Sequence, residues 1–147
     1  MTIVEAERRL PYPPEALRDL VGDVRAYPTF IPWMLSLAVL SESVHGGVRE
    51  LTARAVVGWR ALREEFTSRV RIGADTVDVA LVDGPFRVLE NAWRFTPDGA
   101  GGAVVRFRVA YEFKSPLLQA LASFNRERAA DKIMQAFEAE AKRRFAA

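Results

Sequence analysis

Between Leu35 and Phe113 the chain alternates apolar and polar residues with period two. The pieces are broken by His45-Gly46-Gly47, Gly58, Gly73-Ala74-Asp75, Asp83-Gly84-Pro85 and Pro97-Asp98-Gly99. Alternation puts successive side chains on opposite faces of a pleated strand, and turn residues at these offsets join neighbouring strands as hairpins. The pattern predicts six consecutive antiparallel strands. The segment before it, MTIVEAERRL, alternates in the same way and predicts a further strand at the start of the chain. It contains Glu5 and Glu7 and lacks the basic-then-apolar layout of a signal peptide.

Helical signals flank this block. Pro13-Pro14-Glu15 opens a short helix that Gly22 stops, with Leu17, Leu20 and Val21 inward. Proline is tolerated at the first helical position, and an acid suits the positive helix end. A second short turn from Asp23 runs into Tyr27-Pro28, Phe30, Ile31, Pro32 and Trp33, a stiff apolar segment that reads as a bent wall or lid. After the strands, Ser115-Pro116 supplies an N-cap and a first-position proline, and Lys142-Arg143-Arg144 places bases at the negative helix end. One long terminal helix is expected between them. On it Ala122, Ala129, Ile133 and Phe137 share a face, while Leu117, Leu121 and Phe124 lie nearly opposite. The first turns are therefore apolar on two sides. They are either sandwiched between the sheet and the Phe30–Trp33 segment, or they expose a pocket mouth or patch to a membrane or protein partner.

A chain of 147 residues fits one domain, spanning 1–147. No stretch approaches the roughly 18 consecutive apolar residues of a membrane-spanning helix, so a soluble protein is expected. The absence of cysteine excludes disulfides and thiolate chemistry and leaves the cytoplasm as the default compartment. The single histidine, His45, lies in a turn and excludes a Ser-His-Asp triad or a multi-histidine metal site. Glu64, Asp83 and Glu90 remain as carboxylates without the spacing of a glycosidase pair. Gly99, Gly101 and Gly102 fall in a hairpin turn and not between strand and helix, so they make no nucleotide fingerprint. A net charge of +2 is poor evidence for nucleic acid, and no DNA partner is expected. No catalytic constellation and no metal site emerges.

Alternation assigns Ala53, Ala55, Phe66, Leu89, Trp93, Phe107 and Val109 to the interior, together with the polar Glu64, Asn91 and Tyr111. Small residues beside large aromatics leave volume, and a few convergent polar groups in an apolar cleft orient a ligand head group. The structural alternative stands beside this: Glu64 solvated at the sheet rim or paired with an arginine, and Asn91 bonded to a strand end.

Three segments carry a family resemblance: Leu81–Phe95 (LVDGPFRVLENAWRF), Leu10–Trp33 (LPYPPEALRDLVGDVRAYPTFIPW) and Phe113–Phe124 (FKSPLLQALASF). Together they resemble the coenzyme Q-binding branch of the START-like, or polyketide cyclase/dehydrase, superfamily. The resemblance implies an α+β helix-grip fold: a seven-stranded curled antiparallel sheet around a long C-terminal helix, with two short helices after strand 1. It also implies a tunnel between sheet and helix lined by Phe30, Trp33, Leu89, Trp93, Phe107, Leu118 and Leu121. Lys114 would lie near its opening. The two-sided apolar pattern of the terminal helix, taken with the Phe30–Trp33 segment, adds Ile31, Leu117 and Phe124 beside Lys114 as a gate or membrane patch. The function implied is a non-enzymatic carrier or chaperone of a lipophilic small molecule, foremost an isoprenoid quinone such as ubiquinone or menaquinone, in support of respiratory electron transport. No cofactor is required beyond the bound quinone or other lipid, and peripheral contact at the inner face of the cell membrane would accompany that role. The same branch holds RatA-type proteins that bind the ribosome, which gives a regulator or toxin as the alternative; a polyketide cyclase-like enzyme stands third.

Overall fold

A computed structural model describes residues 1–59, 62–124 and 126–145 of the chain. The described residues form seven strands: β1 (Thr2–Leu10), β2 (Met34–His45), β3 (Val48–Trp59), β4 (Leu62–Ile72), β5 (Thr76–Asp83), β6 (Phe86–Pro97) and β7 (Ala103–Phe113). The helices are α1 (Pro14–Gly22), α2 (Tyr27–Phe30), α3 (Pro116–Phe124) and α4 (Arg126–Phe145), with a short 3-10 turn at Val24–Ala26. Every neighbouring pair of strands is antiparallel, in the order β1-β7-β6-β5-β4-β3-β2. Hairpins therefore build β2 to β7 outward in sequence. The segment containing α1 and α2 carries the chain from β1 at one edge to β2 at the other.

One feature of the implied fold is corrected. The sheet is open and does not curl around a helix: β1 and β2 are its two edges and make no pairing with each other among the described residues. Its inner face is covered by α1 as well as α4, so no single helix is enclosed, and charged side chains on β1 and a largely polar, exposed β2 blunt the free edges. The expected terminal helix is described as α3 and α4, with Asn125 between them outside the described residues. The Ala122 carbonyl of α3 accepts from the Tyr111 hydroxyl of β7 at 2.7 Å. The buried face of α4 is Ala130, Met134, Phe137 and Ala141, with Ala129 exposed.

The core lies between the sheet and α1 and α4. Leu17, Leu20 and Val21 from α1 meet Leu51, Val70, Val77 and Phe95 from the sheet and Met134 and Phe137 from α4. Trp93 is central, with ring centroids 4.8 Å from Phe107 and 5.0 Å from Phe137. Phe137 also meets Tyr27 and Phe30 edge-on at 5.5 and 5.4 Å, and such aromatic contacts add to the area they bury. The outer face of the sheet is charged and cross-linked: Arg54–Glu65, Arg69 and Arg71 to Glu50, Arg94–Asp78, Arg106–Glu7 and Arg108–Glu5. Each exposed pair contributes little, about 0.2–1 kcal/mol. Their effect on recognition is larger, because these sheet arginines are already matched to acids.

Candidate functional site

α3 sits over one end of the sheet, and the sequence explains how it starts and where it attaches. Ser115 caps it, its Oγ accepting from the Leu118 N–H at 3.3 Å, and Pro116 occupies the first helical position. The side toward the protein is held by polar contacts. Gln119 Oε1 accepts from the Phe113 N–H at 2.8 Å, Gln119 Nε2 donates to Thr2 Oγ1 at 3.0 Å, and Ser123 and Thr2 share a hydroxyl bond at 2.6 Å. No residue of α3 is buried.

Beneath α3 is a cavity of about 220 Å³ lined by Trp33, Val57, Gly58, Glu64, Phe113, Leu118, Leu121 and Ala122. Glu64 is the one ionisable group in an otherwise apolar wall. A shallower hollow of about 560 Å³ adjoins it, sharing Trp33 and Gly58 and adding Phe30, Pro32, Lys132, Gln135 and Ala136. Gly58 belongs at this junction because its N–H bonds the Trp33 carbonyl at 2.9 Å, and a β-carbon there would stand 2.6 Å from Leu35 Cδ1. The smaller space lies under the roughly 300–1,000 Å³ typical of small-molecule sites.

The structure brings together part of the expected tunnel lining. Trp33, Glu64, Leu118 and Leu121 surround the cavity, and Phe30 lines the adjoining hollow. Ala53, Ala55, Trp93 and Phe107 lie buried in the sheet, Trp93 and Phe107 within the core packed by α1 and α4. Leu89 and Val109 are half-buried and line neither space, while Phe66 packs edge-on against Phe86 at 5.7 Å. Ile31, assigned to the gate, is 4% exposed in the core. Leu117 and Phe124 are exposed on α3, and Lys114 is exposed beside it, its N–H bonded to the Pro85 carbonyl. Asn91 accepts from Trp93 Nε1 at 2.9 Å and donates to the Arg108 carbonyl at 3.0 Å, so both ends of its amide are engaged within the protein. Tyr111 is committed to Ala122. Val57, Gly58, Phe113 and Ala122 were not among the candidates. Gly58 reads in sequence as a strand break and lies inside β3, where the missing side chain lets Leu35 pack against the strand.

The cations of α4 divide into two groups. Glu140, 4% exposed, is bonded by Arg143 and Arg144, and Arg144 also reaches Asp23 at 3.2 Å. The Arg143 hydrogen bond holds the Glu140 carboxyl down at about 2, against the opposing effect of burial. Arg126, Arg128, Lys132 and Lys142 are exposed and make no ion pair among the described residues. The first three form a cationic surface on the early turns of α4. Among the described residues no group of three or more His, Cys, Asp or Glu is placed to hold a metal, and no helix is long and apolar enough to cross a membrane.

Comparison with known proteins identifies relatives of the whole architecture. The family described as polyketide cyclase/dehydrase and lipid transport matches residues 10–138. The ribosome association toxin RatA of Pseudomonas aeruginosa is 32% identical over 145 residues, covering 98% of each chain. The mitochondrial coenzyme Q-binding protein COQ10 homolog B of Xenopus laevis is 34% identical over 134 residues, 88% of this chain and 53% of that protein. Among solved structures, an 18 kDa protein of Caulobacter crescentus superimposes with a TM-score of 0.82 at 42% identity over the full length of both chains.

Proposed function

We propose, from the premise that this chain belongs to the polyketide cyclase/dehydrase and lipid transport family of the START-like superfamily, that it is a ribosome-binding regulator of the RatA type, without catalytic activity. The fold is one able to bind a hydrophobic small molecule. The RatA relationship runs the length of both chains, whereas the chain spans about half of the coenzyme Q-binding relative. The observation that carries the reading is a cluster of cations: Arg126, Arg128 and Lys132 stand on the exposed first turns of α4 without an ion pair among the described residues, whereas Arg54, Arg69, Arg71, Arg94, Arg106 and Arg108 on the sheet are matched to acids. Such a surface suits phosphate contacts, which dominate binding to RNA and make it salt-dependent.

Co-sedimentation with isolated ribosomal subunits across a salt series tests this. Binding is expected to fall with salt, and replacing Arg126, Arg128 and Lys132 by glutamine should weaken it and flatten the log–log slope by about one for each phosphate no longer neutralised. Binding absent at low salt, or unchanged in the triple variant, sinks the reading.

A second reading rests on the cavity wall, apolar except for Glu64. In it the chain carries a lipid, with an isoprenoid quinone in respiratory electron transport as the specific form. Native mass spectrometry of the purified protein decides: a stoichiometric lipid lost in Leu118→Asp, with that variant still folded by circular dichroism, supports it. A cavity of about 220 Å³ holds only part of a long isoprenoid chain in this conformation, which is why the regulator is placed first.

A further inference from the structure

α3 is apolar on two sides. Its protein-facing side chains are Leu118 and Ala122 at the cavity, with Gln119 and Ser123 both hydrogen-bonded, while its outward side consists of Leu117, Ala120, Leu121 and Phe124 without one polar group. Leu117 is 68% and Phe124 83% exposed. A surface helix of a globular protein ordinarily turns its apolar stripe inward. Here a contiguous apolar face is left in water, the mark of an interaction surface.

We infer that this face docks on an anionic phospholipid surface. Two observations select that occupant. Lys114 precedes α3 and Arg126 and Arg128 follow it, all exposed, and the only acid between Lys114 and Arg128 is Glu127. Apolar side chains flanked by cations are what an interfacial helix presents to acyl chains and anionic headgroups. The face also continues into the cavity mouth: Leu121 belongs to both, and Leu35, 44% exposed, packs against Gly58 of the cavity wall. Fluid hydrocarbon can cover such a rim and its opening together. Because Arg126 and Arg128 also belong to the surface assigned to the ribosome, a corollary that rests on that reading is that membrane and ribosome exclude each other.

Flotation of the full chain with vesicles tests the inference. Vesicles of phosphatidylcholine with about one third phosphatidylglycerol should carry the protein, and pure phosphatidylcholine vesicles should carry much less. Leu117→Ser with Phe124→Ser alters only exposed side chains, so the fold is kept, and binding to the anionic vesicles should drop about tenfold or more. Arg126→Gln with Arg128→Gln should also weaken binding and reduce its sensitivity to salt. No flotation on anionic vesicles, or flotation of the serine variant equal to the parent, overturns the inference. Subunit co-sedimentation of the serine variant separates the two conclusions. Retained ribosome binding with lost flotation supports both; absent ribosome binding in the parent with intact flotation removes the regulator and leaves the membrane surface standing.

Discussion

Asn91 shows how a polar residue inside a sheet can mimic a ligand-binding group. Its amide joins the Trp93 indole on its own strand to the Arg108 carbonyl on β7. Trp93 is 3% exposed, so Asn91→Leu strands a buried N–H, and we expect a loss of about 1–3 kcal/mol in urea unfolding with subunit binding unchanged. Alternation in the sequence assigned Asn91 a face but could not give it a partner, because partners across a sheet follow from register. Glu140 differs, since Arg143 and Arg144 three and four residues on are neighbours in any helix. What the sequence could not reveal is that the position is buried. With its folded pKa depressed to about 2, Glu140 contributes stability that is present above the usual carboxylate pKa and lost as pH falls from there toward 2. Acid unfolding of the parent should therefore steepen in that window. Glu140→Gln should be less stable at neutral pH by on the order of 1–2 kcal/mol, discounted for the exposure of Arg143, with a flatter profile between about pH 4.5 and 2.

At the scale of elements, one hydroxyl ties α3 to β7. Tyr111→Phe releases the Ala122 carbonyl from that tie, and we expect a cost of about 1 kcal/mol together with faster amide hydrogen exchange in α3, while α4, anchored by Met134 and Phe137, stays protected. Unchanged exchange in α3 would show that the hydroxyl does not hold the helix to the sheet. The strands were readable from period two, and their turns from Gly, Pro and Asp, because those signals are local. Bulges were not. The register shifts leave Leu35 and Leu40 extra on β2 and Val82 extra on β5, and all three are exposed, 44%, 49% and 48%. An extra residue unpaired in the ladder turns outward whatever its polarity, so apolar side chains sit where alternation alone would not put them.

For the molecule as a whole, the resemblance carried the topology but overstated the hollow. Family membership fixes strand order and the placement of helices, which depend on chain-wide pattern. The volume inside depends on how far particular side chains reach. Here Leu17, Leu20, Phe137 and Trp93 fill the middle of the sheet, which leaves the apolar cavity at the α3 end and a separate, more polar hollow of about 590 Å³ beside α1 and the end of α4. That strand order also has a consequence for biosynthesis. β1 lies in register against β7, Thr2 opposite Tyr111 and Leu10 opposite Ala103, and the terminal amine meets Glu112 at 3.2 Å. Of the seven described strands β1 is made first, yet its only partner among them, β7, is made last, and α4, which also packs along β1, is later still. The nascent chain can zip β2 through β7 hairpin by hairpin while β1 waits unpaired, so the sheet is completed by its most distant pairing. The waiting β1 is a natural target for a chaperone.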